Sequence, residues 1–161
     1  MRKQPQSSLI PHSDRSLIKA YNKSLRYLVF RPRSIKEMAD RLLKHGFEKI
    51  TIDLTIERLL EQKFLNDIEF AKSCIESRQK YKGKSKFILK RELQKKGIGQ
   101  DLIEKLLNES SSDLETAKAL FEKKKGRYEH LPKLEFKAKI SQYLGRRGFS
   151  WDIIKEVLKE N

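Results

Sequence analysis

The chain has 161 residues, of which 37% are hydrophobic and 37% charged, and its formal net charge is +15. This length allows one ordinary domain or a short array of repeats, and the high charged fraction favours an elongated helical molecule. Cys74 is the only cysteine, which excludes an intrachain disulfide and a cysteine-based zinc site, so we expect it to pack as a small apolar residue.

The first third of the chain predicts a tail followed by three helices. Residues 1 to 12 show little periodicity, which predicts a flexible N-terminal tail. Apolar residues at helical spacing then predict a helix from Ser16 to Phe30. Ser34 and Glu37 match a capping box that begins a second helix. Gly46 ends that helix, because the residue after a helix end often needs a positive φ, and a third helix follows.

The same signals return later in the chain. Asn66 and Glu69 predict another helix cap, and Ser112 and Glu115 match a second capping box. Each of these helices is followed by a glycine-ended helix and a further apolar helix. Residues 126 to 133 form the longest predicted connection.

Gly46, Gly97 and Gly148 are successively 51 residues apart, and their surroundings recur. A leucine lies four positions before each glycine, and an isoleucine lies six positions after it. Such a period predicts a repeat architecture. We therefore expect an all-α fold of three tandem three-helix repeats in an elongated, curved array. The predicted boundaries of the repeats are 13–64, 65–110 and 111–161.

Positive charge is concentrated in the middle of the chain. Residues 78 to 100 carry nine basic residues and one acidic residue, more than half of the net charge. Because these cations repel one another without a partner, the cluster predicts a contact with a polyanion, DNA or RNA above all. The alternative, in which the cluster has no binding function, is a solvated helix face. The nine are Arg78, Lys80, Lys82, Lys84, Lys86, Lys90, Arg91, Lys95 and Lys96.

Cations also precede each of the three repeated glycines: Lys44 with His45, Lys95 with Lys96, and Arg146 with Arg147. A cation in the last turn of a helix interacts favourably with the helix dipole, by roughly 0.3 to 1 kcal/mol at exposed sites. The same recurrence would also provide a ladder of contacts to phosphates or acidic side chains. Both interpretations stay open at this point.

Other classes of function find less support. The segments after the repeated glycines are dominated by Ile, Leu and acidic residues, which predicts core helices rather than DNA-recognition helices. Trp151, Tyr128, Tyr143 and Tyr81 are candidates for base stacking, but aromatic residues in small helical units are more often core. No catalytic triad, metal-binding spacing or phosphate-binding loop occurs, so we expect no enzyme activity, metal or cofactor. No stretch predicts a membrane span or a signal peptide, and the expected compartment is the cytoplasm.

Several fragments, taken in their order and spacing, resemble the RecX regulatory proteins. The resemblance covers nearly everything from Ser16 onward. The fragments are Arg31-Pro32-Arg33-Ser34, Gly46-Phe47, Phe64-Leu65-Asn66-Asp67 with Phe70-Ala71, the Gly83 loop, Glu92-Leu93 through Lys96-Gly97-Ile98, and Arg146-Arg147-Gly148-Phe149-Ser150.

The resemblance implies a tandem array of three-helix repeats and modulation of the bacterial recombinase RecA; we expect the protein to be a monomer. Such proteins bind the filament that RecA forms on single-stranded DNA and restrain strand exchange, ATP hydrolysis and co-protease function, which connects them to DNA repair, homologous recombination and the SOS response. The alternative is a nucleic-acid-binding repeat protein that acts on single- or double-stranded DNA without RecA. The candidate contact residues are Arg31, Arg33, Lys44, Arg78, Lys82, Lys84, Lys86, Lys90, Arg91, Lys95, Lys96, Arg146 and Arg147.

Overall fold

The computed structural model describes residues 12–159, and in this range all regular secondary structure is helical. This confirms the predicted all-α fold. The predicted tail lies outside the described residues except for His12, which begins the first helix. The helices are α1 (His12–Phe30), α2 (Ile35–Lys44), α3 (Lys49–Glu61), α4 (Asp67–Lys82), α5 (Lys86–Lys95), α6 (Gln100–Glu109), α7 (Asp113–Tyr128), α8 (Lys133–Gly145) and α9 (Trp151–Lys159).

The chain divides into two compact units, one that ends at Phe70 and one that runs from Ala71. In the first unit, α1 and α2 both pack on α3, and in the second unit α7 packs on both α8 and α9 while α5 packs on α6. Both arrangements bury apolar stripes that single short helices could not bury alone. The boundaries of the three repeats given above stay a prediction.

The predicted helix caps are present. Ser34 Oγ accepts from Glu37 N at 3.1 Å, and the Glu37 carboxylate accepts from Ser34 N at 3.3 Å, which completes the capping box. Ser112 and Glu115 form the same reciprocal pair at 3.1 and 2.9 Å. The pKa of Glu115 is lowered by its hydrogen bonds with Ser112. Asn66 Oδ1 caps α4 by accepting from Ile68 N at 2.9 Å. The local sequence therefore decides where these helices begin.

Residues that recur around the repeated glycines form the core. Each of the three glycines has a positive φ, between 78° and 85°, as the helix ends require. The leucines four positions before them are fully buried, and the isoleucines six positions after them are buried as well. These core residues are Leu42, Leu93, Leu144, Ile52, Ile103 and Ile154.

Two aspartates at the starts of helices each accept a hydrogen bond from the first amide of another helix. Asp67 Oδ1, at the start of α4, accepts from Ile35 N at 2.9 Å. Asp113 Oδ1, at the start of α7, accepts from Lys86 N at 2.8 Å. In both cases the carboxylate satisfies the first free amide of another helix, α2 or α5. Each contact therefore joins the starts of two helices within one compact unit.

One predicted connection is shorter than expected. Helix α7 continues through Tyr128, so Gly126 lies inside the helix, and only residues 129 to 132 separate it from α8. The prediction that the loop begins at Gly126 is wrong, because the surrounding helix tolerates an interior glycine at a modest cost of about 0.5 to 1 kcal/mol.

Candidate nucleic-acid interface

The middle cluster of cations surrounds its one carboxylate, Glu92 on α5. Glu92 accepts a hydrogen bond from Lys84 Nζ, and Arg78 Nε lies 3.3 Å from its other oxygen. That distance makes an ion pair, although Arg78 Nε and Glu92 Oε2 have no hydrogen-bond partner within the described part of the chain. All three side chains are less than one-third exposed. Glu92 therefore neutralises part of the cluster and joins α4 to α5 through the intervening loop.

Three further cations of the cluster make contacts within the protein. Lys90 Nζ lies 3.2 Å from the Glu104 carboxylate, and hydrogen bonds from Gln100 and Lys90 hold the pKa of Glu104 below its ordinary value. Lys86 Nζ donates to the Ser110 carbonyl at 3.4 Å. The Arg91 guanidinium lies 5.8 Å from the centroid of the exposed Phe87 ring. Lys90 and Lys86 thus bind α6 and the residue that follows it, and Arg91 lies beside a ring of its own helix α5.

Of the remaining cations, Lys82 lies beside the arginine pair that precedes Gly148. Arg147 Nε donates to the Lys82 carbonyl at 3.2 Å, and its own carbonyl accepts from Ser85 N at 3.0 Å. The Arg147 guanidinium also stacks 3.9 Å from the centroid of Tyr143. These bonds fasten the α8–α9 turn to the α4–α5 loop.

A cavity of about 520 Å³ opens at this junction, and we call it the basic groove. Lys82 and Arg146 are exposed there, and neither makes an ion pair within residues 12–159. No described residue lining the groove is acidic, so its cations point at space that an anion can fill. The lining residues are Tyr81, Lys82, Lys84, Ile88, Arg146 and Arg147.

The candidates in the first unit have separate surroundings. Arg31 donates to both oxygens of Glu37 at 3.1 and 3.0 Å, which ties it to the capping box. The Arg33 guanidinium lies 5.4 Å from the Tyr27 ring centroid, and burial, followed by the neighbouring cations Arg31 and Arg41, lowers its pKa. Lys44 is exposed. Arg31 and Arg33 therefore have local structural contacts, whatever else they bind.

The aromatic candidates divide into two groups. Tyr128 and Tyr143 are half-buried and pack against the core of the second unit, as expected. The expectation of a core position is wrong for Tyr81 and Trp151, which are 76% and 57% exposed. Tyr81 lies in the last turn of α4, and Trp151 is the first residue of α9. At helix ends a side chain can lie outside the packed face.

Sequence reasoning missed the part that Glu92 plays. The one signal was that Glu92 is the only acid between residues 78 and 100. Within residues 12–159, no helix is long and apolar enough to cross a membrane, and no group of three or more metal-binding side chains comes together.

Comparison with known proteins assigns the chain to a family. The models of the first, second and third three-helix domains of RecX match residues 20–59, 66–107 and 111–158. The regulatory protein RecX of Prosthecochloris aestuarii is 34% identical over 151 residues, which cover 92% of this chain and 97% of the relative. The chain belongs to the RecX family.

Alignments with other RecX proteins also cover most of this chain. Identity is 34% over 142 residues with the regulatory protein RecX of a Geobacillus species and 35% over 144 residues with that of Bacillus subtilis. These matches cover 87% and 88% of this chain but only 52% and 54% of the two relatives, so the chain spans about half of their length. The crystal structure of RecX from Lactobacillus salivarius superposes with a TM-score of 0.75 at 30% identity, covering 91% of this chain and 96% of the other.

The RecX assignment gives the basic groove a position among the repeats. Lys82 and Lys84 lie within the match to the second RecX domain, and Arg146 and Arg147 lie within the match to the third. The groove is therefore a feature of two consecutive repeats, which neither repeat would form alone.

Proposed function

We propose that this protein is a non-enzymatic regulator that binds the RecA filament on single-stranded DNA and restrains its recombinase, ATPase and co-protease activities. It would act as a monomer in the cytoplasm, in DNA repair and recombination. Membership of the RecX family supports a regulatory role, since the relatives are named regulatory proteins, and the family resemblance implies RecA as the partner. The observation that carries the site is the basic groove, where cations of two repeats converge without a lining acid.

The groove fits a polyanion better than the middle cluster does as a whole. Arg78 and Lys84 are engaged by Glu92, and Lys90 is engaged by Glu104. Ion pairing inside the protein lowers the charge that these side chains can offer to a phosphate. Lys82 and Arg146 have no such partner within the described residues, so they are the contacts we assign first.

The experiment is a titration of RecA's DNA-dependent ATPase with the wild-type protein and with the variant Lys82→Glu/Arg146→Glu. Each lost contact of a cation with an anion at about 4 Å is worth about 1 kcal/mol in water, so the loss of two contacts should raise the amount of protein needed for half-inhibition roughly thirtyfold. The matched control is Lys105→Glu/Lys139→Glu, which reverses the same number of charges at exposed lysines that lie outside the groove and make no ion pair within residues 12–159. The control should inhibit like the wild type.

Two results would contradict the proposal at different levels. Equal inhibition by the groove variant and the wild type would remove the groove as the contact site. Absence of inhibition by the wild-type protein at every stoichiometry would remove RecA as the regulated partner.

A second candidate is a nucleic-acid-binding protein that does not need RecA. The exposed Tyr81 favours it, because an aromatic ring among cations is a usual feature of grooves that bind unpaired bases. Binding to bare single-stranded DNA, duplex DNA and the RecA filament across a range of salt concentrations separates the two. Bare DNA that binds as tightly as the filament would favour this second function.

A further inference from the structure

A second groove lies between α8 and α9, away from the basic groove, with which it shares no lining residue. Its volume is about 360 Å³, near the lower end of the range of about 300 to 1,000 Å³ that is usual for ligand-binding clefts. Lys137 and Ser141 line it from α8, and Trp151, Lys155, Leu158 and Lys159 line it from α9. We call it the tryptophan groove.

The position of Trp151 is not explained by packing. Its neighbours Phe149, Ile154 and Val157 are buried and supply the core contacts of α9. Ser150 Oγ accepts from Ile153 N at 3.4 Å, so the start of the helix has a polar cap without help from the indole. Trp151 nevertheless remains 57% exposed. Because the ring lines a cleft together with lysines, it is available to stack on the flat π-system of a ligand.

The charge of the tryptophan groove indicates what it binds. Three lysines line it, and no described lining residue is acidic. Lys155 Nζ lies 5.7 Å from the centroid of the Trp151 ring, within range of a cation–π interaction that holds the cation beside the ring face. An occupant that satisfies both groups carries a flat π-system and a negative charge next to each other. An unpaired nucleotide has this combination within one monomer, whereas a chain of acidic side chains supplies only the charge and a duplex keeps its base faces stacked.

We propose that the tryptophan groove binds single-stranded nucleic acid, with one unpaired base stacked on Trp151 and the flanking phosphates on Lys137, Lys155 and Lys159. The site needs no RecA, so it does not depend on the function proposed above. Base stacking on an aromatic ring tolerates any sequence, because every base has a π-face. The groove therefore recognises that a strand is single, without reading its sequence.

The experiment uses the fact that Trp151 is the only tryptophan in the chain. Its fluorescence, excited selectively, reports this groove alone. The wild-type protein is titrated with oligothymidylate, with an abasic oligonucleotide that has the same number of phosphates, and with polyglutamate. We expect strong quenching by oligothymidylate and little change with the other two polyanions. Equal quenching by the abasic strand or by polyglutamate, or no quenching by oligothymidylate, would overturn the proposal.

Variants supply a second readout, the anisotropy of a labelled oligothymidylate. Trp151→Ala should weaken binding by roughly five- to a hundredfold, the range that corresponds to one stacked base. Trp151→Phe retains a ring and should lose less, which also guards against a folding defect in the alanine variant. Lys155→Ala should also weaken binding, whereas its matched control Lys105→Ala removes an exposed lysine outside the groove and should bind like the wild type. Wild-type affinity in folded Trp151→Ala would contradict the proposal.

Discussion

The turn at Gly148 should tolerate no side chain, even though Gly46 occupies the same place in the first repeat. Gly148 has a φ of +85°, and a Cβ there would lie 2.4 Å from Ile88 Cγ1 and 2.6 Å from Ser85 Oγ. Gly46 has a φ of +78°, but a Cβ would meet no atom within 4 Å. Substituting alanine at both places thus separates the cost of the backbone conformation from the cost of crowding.

The expected magnitudes follow from these two terms. A left-handed backbone costs a non-glycine residue about 1 to 2 kcal/mol, so Gly46→Ala should lower the free energy of unfolding by that amount. Gly148→Ala adds overpacking, which typically costs about 1 to 3 kcal/mol, for a total of about 2 to 5 kcal/mol. The protein cannot easily relieve this crowding by moving Ser85, because Ser85 is fully buried and its amide donates to the Arg147 carbonyl.

The measurement is urea unfolding followed by ellipticity and, for the second unit, by Trp151 fluorescence. Gly126→Ala is the control within that unit. Gly126 lies inside α7 with open space around its Cβ position, so alanine there should stabilise the protein by about 0.5 to 1 kcal/mol. If Gly148→Ala costs no more than Gly46→Ala, a methyl group at Gly148 does not crowd Ser85 and Ile88. That result would refute the prediction.

Two further substitutions test the ion pair and the aspartate cap. Glu92→Gln should destabilise the protein by about 1 to 3 kcal/mol, because Arg78 and Lys84 are left half-buried without a counter-charge; unchanged urea unfolding would contradict this. Asp67→Ala should cost about 1 kcal/mol through the lost bond to Ile35 N, whereas Asp67→Asn retains an acceptor and should cost less. Burial raises the pKa of Asp67 from its ordinary value of 3.8, so the folded state holds the proton more strongly. The wild type should therefore lose stability relative to Asp67→Asn as the pH rises from that value to the higher pKa of the folded state. The opposite trend would contradict a raised pKa of Asp67.

Local patterns predicted the architecture because the forces involved act over a few residues. A serine with a glutamate three positions later satisfies the free amides of its own helix, as at Ser34 and Glu37. A glycine at a helix end satisfies a backbone requirement that is also local, as at Gly46. Gly126 shows the limit of such signals. A glycine inside a helix and a glycine that begins a loop have the same local sequence pattern, so the sequence predicted a loop where α7 continues.

The candidate site could be predicted only in part, because its contacts join segments that are distant in the chain. The sequence indicated an excess of charge from Arg78 to Lys96 but not which cations Glu92 would engage. Nor could it place Arg147 beside Lys82, which is 65 residues earlier. These pairs depend on how the α8–α9 turn packs on the α4–α5 loop, and no single-helix period contains that information.

The structure changes which charges are useful for testing function. Reversing Lys84 would remove a possible phosphate contact and at the same time place two carboxylates against each other at Glu92, so lost activity would not distinguish binding from folding. Lys82 and Arg146 avoid this ambiguity, since within the described residues neither is engaged by a carboxylate. In the tryptophan groove, Trp151 has the same advantage, because the core of α9 is complete without it. Exposed groups with no structural task are the ones whose loss reports on binding.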